Sequence, residues 1–331
     1  MTALEIRELQ SADIESLLAC QREVFGAAGA KSRAEWSWAF SAAGSPLRCF
    51  VALRQGEVVA SYAGLIGRTW VGGAERSFVQ AVDVMVHPGE RRGLSRRGLY
   101  MEVAEAFFEA YGTLGDDLLH YGWPVDAARR LGERHMHYGL VREELCLVRD
   151  VAAPMETSPG ERGQSLDEVE ELDGSGEDLR WLWDRCASEW GAATIRDAAW
   201  FHWRFLERPG IDYTLLGVRR DGILRGVAVL RETPWSWEGA LPVCDWLVPR
   251  DEVQVAALLE EALRHRAASA GCRRLVTIFP SSSHAFELFQ DMGWRVTPTP
   301  YRLVARAYER TIDLDWLRES WWYTLADSDL A

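Results

Sequence analysis

The sequence predicts an α/β protein built from two successive domains of related fold. The same order of strands, turns and helices occurs twice at an offset of about 160 residues, and four pairs of segments correspond in that order. The chain has 331 residues, of which 48% are hydrophobic, and this is enough for two separate cores. Duplication therefore explains the pattern better than chance.

In the first half, each predicted strand is an apolar run that is followed by glycine or proline. Apolar side chains spaced by four residues from Leu99 to Tyr111 predict a helix over 94–111. In chain order we expect an aromatic segment at 36–40, strands at 49–53, 58–65 and 82–86, that helix, and a strand at 118–123.

The second half repeats this order. An aromatic segment at 200–205 precedes strands at 213–218, 226–230 and 245–248, a helix at roughly 251–268 and a strand at 275–279. A glycine followed by an apolar residue, Gly139-Leu140 and Gly293-Trp294, precedes the last strand of each half.

The boundary between the halves is visible in the composition. The segment 150–163 holds two prolines and two glycines, which is typical of a linker. We therefore predict a first domain over 1–150, a linker over 151–164 and a second domain over 165–331.

Charge and composition exclude several classes of protein. The net charge of −13 argues against a nucleic-acid partner, because such surfaces need clustered Lys and Arg. No apolar run is long enough to span a bilayer, and the N-terminus lacks a signal-peptide pattern, so we expect a cytoplasmic protein. The six cysteines are scattered, with no spacing typical of metal ligands, and we expect no metal site.

The segment 82–96 is an apolar strand that ends in a turn rich in glycine and arginine and opens the predicted helix. Backbone N–H groups and the positive end of the helix dipole favour a phosphate at such a place. Turns of this kind also occur as ordinary strand-to-helix connections, so the turn alone leaves both interpretations open. The candidate phosphate-binding residues are Arg91, Arg92, Gly93, Leu94, Ser95, Arg96 and Arg97.

The order of residues in this segment resembles the acetyl-CoA motif of the GNAT acyltransferases. The strand ends Val86-His87-Pro88, an acid (Asp83) stands three residues before that valine, and two arginines precede Gly93-Leu94-Ser95. The register is imperfect, because the position that is Arg or Gln in the family falls on Glu90 if Gly93 and Ser95 are the small residues. The resemblance implies acetyl-CoA as co-substrate and, in each half, a mixed, mostly antiparallel twisted sheet flanked by helices.

The second half lacks the features that bind the cofactor. Pro249 is followed by Arg250-Asp251-Glu252-Val253, with no glycine and with two carboxylates where a diphosphate would lie. The second half is therefore expected to be a degenerate copy that keeps the fold.

The resemblance also implies the residues of the chemistry. Asp83 has the place of the family's general base, and its counterpart Asp245 in the degenerate half leaves a purely structural role open. His135 stands four residues before Gly139, where many GNAT enzymes have a tyrosine that protonates the leaving thiolate; Tyr138 and Tyr121 are the alternatives. Main-chain N–H groups of Val84, Met85 and Val86 are expected to polarise the thioester carbonyl.

These features predict an N-acetyltransferase that uses acetyl-CoA and a primary amine on a small molecule, amino sugar or peptide. One alternative is a non-catalytic acyl-CoA-binding or scaffold protein, which the imperfect loop and the missing tyrosine favour. A second is a Fem-type aminoacyl transferase that uses charged tRNA, against which the acidic charge counts.

Overall fold

The computed structural model describes residues 4–40, 46–91, 98–151, 168–234 and 239–329, and it confirms the predicted fold class. The strands are β1 (Leu4–Glu8), β2 (Arg48–Arg54), β3 (Glu57–Val71), β4 (Ala74–Val86), β5 (Asp117–Gly122), β6 (Gly139–Asp150), β7 (Glu168–Glu171), β8 (Ala192–Thr194), β9 (Tyr213–Arg220), β10 (Ile223–Arg231), β11 (Ala240–Leu247), β12 (Arg274–Ile278), β13 (Arg295–Ala307) and β14 (Trp321–Trp322).

The helices are α1 (Ile14–Phe25), α2 (Arg33–Ala39), α3 (Leu99–Phe107), α4 (Asp126–His135), α5 (Glu177–Ala187), α6 (Ala198–Phe201), α7 (Val253–Ser269), α8 (His284–Asp291) and α9 (Leu314–Ser320). A π-helical segment, Phe108–Thr113, continues α3. Within the described part of the chain, no helix is both long enough and apolar enough to cross a membrane.

The chain forms two compact units. The first contains residues 1–69, 75–141 and 302–314, and the second contains residues 70–74, 142–301 and 315–331. The first unit therefore includes a segment from late in the sequence, although its main body comes from the N-terminal half.

The sheet of the first unit has the strand order β1-β2-β3-β4-β5, followed by the end of β13. The pairs β1/β2, β2/β3 and β5/β13 are antiparallel, whereas β4 and β5 are parallel. In the second unit the order β6-β12-β11-β10-β9-β7 again contains one parallel pair, β11/β12, among antiparallel pairs. The duplicated order of elements is thus confirmed at the level of sheet topology.

The first hairpin of each unit has the same turn. Gln55 and Gly56 both have positive φ (56° and 85°), as do Asp221 and Gly222 (52° and 75°). Two successive residues with positive φ are the signature of a type I′ turn, whose twist fits a two-residue hairpin. Both turns are predicted from the sequence, because each contains a glycine.

Helices cover both faces of the sheet in the first unit. Leu17 and Trp36, from α1 and α2, pack in one apolar cluster with Val51 and Met85. Phe107 of α3 belongs to a second cluster, which contains the buried side chains Ala52, Tyr62 and Val79. Because neighbouring residues of a strand point to opposite faces, β2 contributes Val51 to one cluster and Ala52 to the other.

Candidate active site

The parallel strands β4 and β5 separate at the candidate site. Their ladder runs from Ser77 and Asp117 to Gln80 and Tyr121, and β4 then continues to Val86 while β5 ends at Gly122. The residues predicted to contact the thioester, Val84, Met85 and Val86, therefore lie on the part of β4 beyond this ladder. Met85 is buried, and the side chains of Val84 and Val86 are partly buried.

Asp83 is the most unusual residue on this part of β4. Its φ of 51° is in the left-handed region, which Asp tolerates better than most residues. The Ser61 hydroxyl donates a hydrogen bond to the Asp83 carbonyl oxygen at 2.6 Å, which holds the backbone in this conformation. The Asp83 side chain is only 6% exposed.

The two carboxylate oxygens of Asp83 have different surroundings. Oδ1 accepts a hydrogen bond from the Lys31 ammonium, whose side chain is 26% exposed. Oδ2 is buried and has no hydrogen-bond partner among the described residues. A buried carboxylate oxygen without a donor is costly, because it has lost water and gained nothing in exchange. Asp83 can therefore accept a second donor without breaking its bond to Lys31.

Asp245 is the topological counterpart of Asp83 in the second unit. The β11/β12 ladder ends at Pro242, three residues before Asp245, just as the β4/β5 ladder ends three residues before Asp83. Arg196 Nε donates to both oxygens of Asp245, at 2.9 and 3.0 Å, and the Thr324 hydroxyl donates to Oδ1 at 2.8 Å. Asp245 is thus part of a buried ion-pair network, and both of its carboxylate oxygens already accept hydrogen bonds within the protein.

Arg196 ties this network to the end of the chain. Its Nη2 donates to Asp327 Oδ2 at 2.6 Å, and its Nη1 donates to the carbonyl oxygen of Thr194 at 2.9 Å. Burial raises the pKa of Asp245, and the Arg196 charge opposes that shift. The second unit uses the equivalent aspartate to hold its own C-terminal segment.

The second unit has a cavity of about 370 Å³ where β11 and β12 separate. Trp322 lines it together with Glu189, Glu287 and Glu319, and Arg250 is also present. A diphosphate placed here would meet three carboxylates, which agrees with the expected loss of the cofactor site in this half.

The glycine and arginine turn is only partly described. Arg92, Gly93, Leu94, Ser95, Arg96 and Arg97 lie outside the described residues. Arg91 Nε donates to the carbonyl oxygen of Val86 at 3.0 Å, so this side chain is held against the end of β4. Glu90 accepts from Arg54 Nε and Nη2 at 2.7 and 2.9 Å. The Arg54 side chain therefore holds Glu90, the acid that would take the family's Arg or Gln position if Gly93 and Ser95 are the small residues; Arg91 would take it in the other register.

Helix α3 begins directly after this turn, at Leu99, with Gly98 as its N-cap. A helix within the predicted range 94–111 is confirmed, but it begins only at Leu99, is α-helical as far as Phe107 and continues as the π-helical segment; residues 94–97 lie outside the described residues. Gly112 is packed against the Tyr308 ring so closely that a Cβ would lie 2.0 Å from Tyr308 Cζ.

The candidates for the general acid differ in their surroundings. His135 is the last residue of α4 and its side chain is exposed. Tyr138 is buried, and its hydroxyl lies 2.9 Å from that of Tyr62. Burial raises the pKa of Tyr138, so the phenol keeps its proton near neutral pH. Tyr121 is buried at the last pair of the β4/β5 ladder.

A second polar cluster of this unit lies on β5. His120 is fully buried, with Nε2 3.0 Å from Asp117 Oδ2 and Nδ1 2.9 Å from the Tyr308 hydroxyl. Burial lowers the pKa of His120, although the neighbouring Asp117 charge acts in the opposite direction. Both ring nitrogens are used within the protein, which indicates a structural role.

Sequence reasoning missed Lys31, although the signal was present. Lys31 is the only lysine among the 37 Lys and Arg residues of the chain, and it is the residue that pairs with Asp83. It also missed Ser61 and Tyr62, which carry no recognisable motif.

Comparison with known proteins agrees with this geometry. Residues 5–132 match the family model described as an acetyltransferase (GNAT) domain. A search of curated proteins finds no match.

Solved structures extend the likeness to nearly the whole chain. A GCN5-related N-acetyltransferase from Anabaena variabilis is 13% identical with a TM-score of 0.66, covering 93% of this chain and 73% of its own. A tandem GNAT protein from the clavulanic acid biosynthesis pathway is 16% identical with a TM-score of 0.57, covering 93% and 99%. Saccharomyces cerevisiae N-myristoyltransferase with bound myristoyl-CoA is 13% identical with a TM-score of 0.59, covering 93% and 81%. The chain as a whole thus has the fold of a tandem GNAT protein.

Proposed function

We propose that the first unit transfers an acetyl group from acetyl-CoA to a primary amine on a small molecule, amino sugar or peptide. One observation carries this proposal: Asp83, buried beyond the β4/β5 ladder, already holds a primary ammonium and keeps a second oxygen unused. A site that binds the Lys31 ammonium has the charge and the hydrogen-bonding groups that an acceptor amine needs.

Each group then has one role. Asp83 accepts a proton from the acceptor ammonium, directly or through water, so that the nitrogen can attack the thioester carbon. Main-chain N–H groups of Val84 to Val86 stabilise the charge that develops on the carbonyl oxygen. The turn at 91–96 holds the diphosphate of coenzyme A against the N-terminus of α3.

The leaving thiolate needs an acid, and two side chains compete for this role. His135 has the position implied by the family spacing, whereas Tyr138 has a buried, hydrogen-bonded hydroxyl. Comparing thiol release by His135→Ala and Tyr138→Phe variants assigns the role, because only loss of the true acid lowers turnover while acetyl-CoA affinity is kept.

Two measurements test the proposed function. Calorimetry with acetyl-CoA and with a longer acyl-CoA measures donor binding, and a thiol-release assay over a panel of amines measures transfer. We expect binding of acetyl-CoA and release of thiol with at least one primary amine. Tight binding without turnover on any amine would support the scaffold alternative, and failure to bind coenzyme A would support the aminoacyl transferase.

A further inference from the structure

We propose that Lys31 is itself an acyl acceptor, so that the protein acylates its own single lysine. This inference rests on the proposed function, because it needs an acyl-CoA bound beside β4. It goes beyond that function by assigning a covalent modification to one residue of this chain.

The first argument is the choice of residue. Of the 37 Lys and Arg residues in the sequence, all except Lys31 are arginine. Arginine would pair with Asp83 at least as well, because its guanidinium can donate to both oxygens of a carboxylate. Lysine differs in that its amine can lose a proton and act as a nucleophile. The only side chain of the sequence with a nucleophilic amine is therefore the one beside the proposed base.

The second argument is the geometry. Lys31 directly precedes Ser32, the N-cap of α2. A capping box fixes the first turn of this helix: Glu35 N donates to Ser32 Oγ at 3.1 Å, and Ser32 N donates to Glu35 Oε2 at 2.7 Å. This capping box fixes the backbone next to Lys31, and Asp83 holds the other end of the side chain. With 26% of its side chain exposed, Lys31 remains open to a reagent.

The third argument is the unused oxygen of Asp83. The carboxylate is 6% exposed and its Oδ2 has no donor among the described residues. A proton released from the ammonium can therefore be taken up by Asp83, through Oδ1 or by transfer to Oδ2, without displacing another partner. The ion pair thus already joins the proton donor to its acceptor.

The reaction is balanced with acyl-CoA as the only co-reactant. The Lys31 ammonium gives one proton to Asp83, and the free amine attacks the thioester carbon. The Nζ–C bond forms and the C–S bond breaks, the leaving thiolate takes up a second proton from the nitrogen, and the products are an amide and free coenzyme A. The proton on Asp83 passes to solvent. Acylation removes the positive charge of Lys31, so both oxygens of Asp83 become available to an external amine.

The single lysine makes the test direct. The full chain is incubated with acetyl-CoA, and its acylation is followed by intact-mass spectrometry and peptide mapping, which separates Lys31 from the N-terminal amine. We expect the wild type to gain one acetyl group on Lys31 and Lys31→Arg to gain none at this position. Asp83→Asn should be acetylated roughly 100-fold more slowly, because it keeps the lysine but removes the base.

Two results would overturn the inference. One is a wild-type chain that stays unmodified at Lys31, and the other is an Asp83→Asn variant modified at the wild-type rate, which would indicate spontaneous acylation. Calorimetry and thiol release on the same sample separate the two proposals. If thiol is released to an external amine while Lys31 stays unmodified, only the self-acylation proposal is refuted. If the chain does not bind acetyl-CoA, both the self-acylation and the proposed function are refuted.

Discussion

Asparagine substitutions at Asp83 and Asp245 should affect different properties of the protein. At Asp83 the substitution removes the ion pair to Lys31, which is 26% exposed, but it also removes a buried charge whose second oxygen has no donor among the described residues, so the two effects partly offset each other. The amide that replaces the carboxylate can point its oxygen toward Lys31. Its NH₂ group then takes the position of Oδ2, which has no hydrogen-bond partner among the described residues. We therefore expect the free energy of unfolding to fall by about 1 kcal/mol or less.

At Asp245 the same substitution removes the charge that faces a fully buried guanidinium. Arg196 donates to both oxygens, and an amide NH₂ in place of either oxygen would face this donor. Breaking a buried pair costs about 3–5 kcal/mol, and the remaining bond to Asp327 favours the lower end. Asp245→Asn should thus be destabilised by about 3 kcal/mol.

Urea unfolding followed by tryptophan fluorescence measures stability, and thiol release measures turnover. We expect Asp83→Asn to lower turnover by roughly 100-fold with unchanged acetyl-CoA affinity, the usual size of a lost general base. Equal destabilisation of the two variants would show that Asp83 is structural. Normal turnover by Asp83→Asn would show that Asp83 is not the general base.

Three further predictions concern other parts of the fold. Gly93→Val should weaken acetyl-CoA affinity roughly tenfold or more, whereas Gln254→Val, in the first turn of α7 and five residues after Pro249 as Gly93 is after Pro88, should have no effect on calorimetric affinity; equal effects would contradict the assignment of the cofactor to the first unit. Because burial lowers the pKa of His120, its contribution to stability is present above about pH 6.5 and is lost as the pH falls below that value. The urea midpoint of the wild type should therefore fall more steeply on acidification than that of His120→Gln, and parallel slopes would refute this. Gly112→Ala should cost about 1–3 kcal/mol in urea unfolding through overpacking against the ring it faces, whereas Gly98→Ala, whose Cβ meets nothing within 4 Å, should lose only the N-cap preference for glycine over alanine, about 0.5–1 kcal/mol; a larger loss for Gly98→Ala than for Gly112→Ala would contradict the packing argument.

The fold was predictable because its signals are local. The type I′ turns need Gly56 and Gly222, and the strands are apolar runs bounded by turn residues, so the order of elements in both halves follows from composition. The grouping of 302–314 with the first unit was not predictable, because the residues of a strand do not by themselves indicate which sheet the strand joins.

The candidate site was predictable in part. Asp83 stands in a recognisable motif, so its place near the end of this strand followed from the resemblance. The partners of Asp83 did not follow, since Lys31 and Ser61 are distant in sequence and only the fold brings them to β4. The positive φ of Asp83 has no signal in the sequence either, because aspartate adopts both conformations.

The two equivalent aspartates show that a duplicated site can lose its available carboxylate oxygen although the aspartate itself is kept. Both stand three residues beyond the end of a parallel ladder, so the backbone places them alike. What differs is the set of donors: Nε of the buried Arg196 donates to both oxygens of Asp245 and the Thr324 hydroxyl donates to one of them, whereas Lys31 leaves Oδ2 of Asp83 without a donor among the described residues. An Arg196 guanidinium cannot be deprotonated or displaced from the interior at neutral pH, but the Lys31 amine can be neutralised by acylation. Both proposals for the first unit therefore depend on the Lys31–Asp83 pair, and the Lys31 variants test them at the same position.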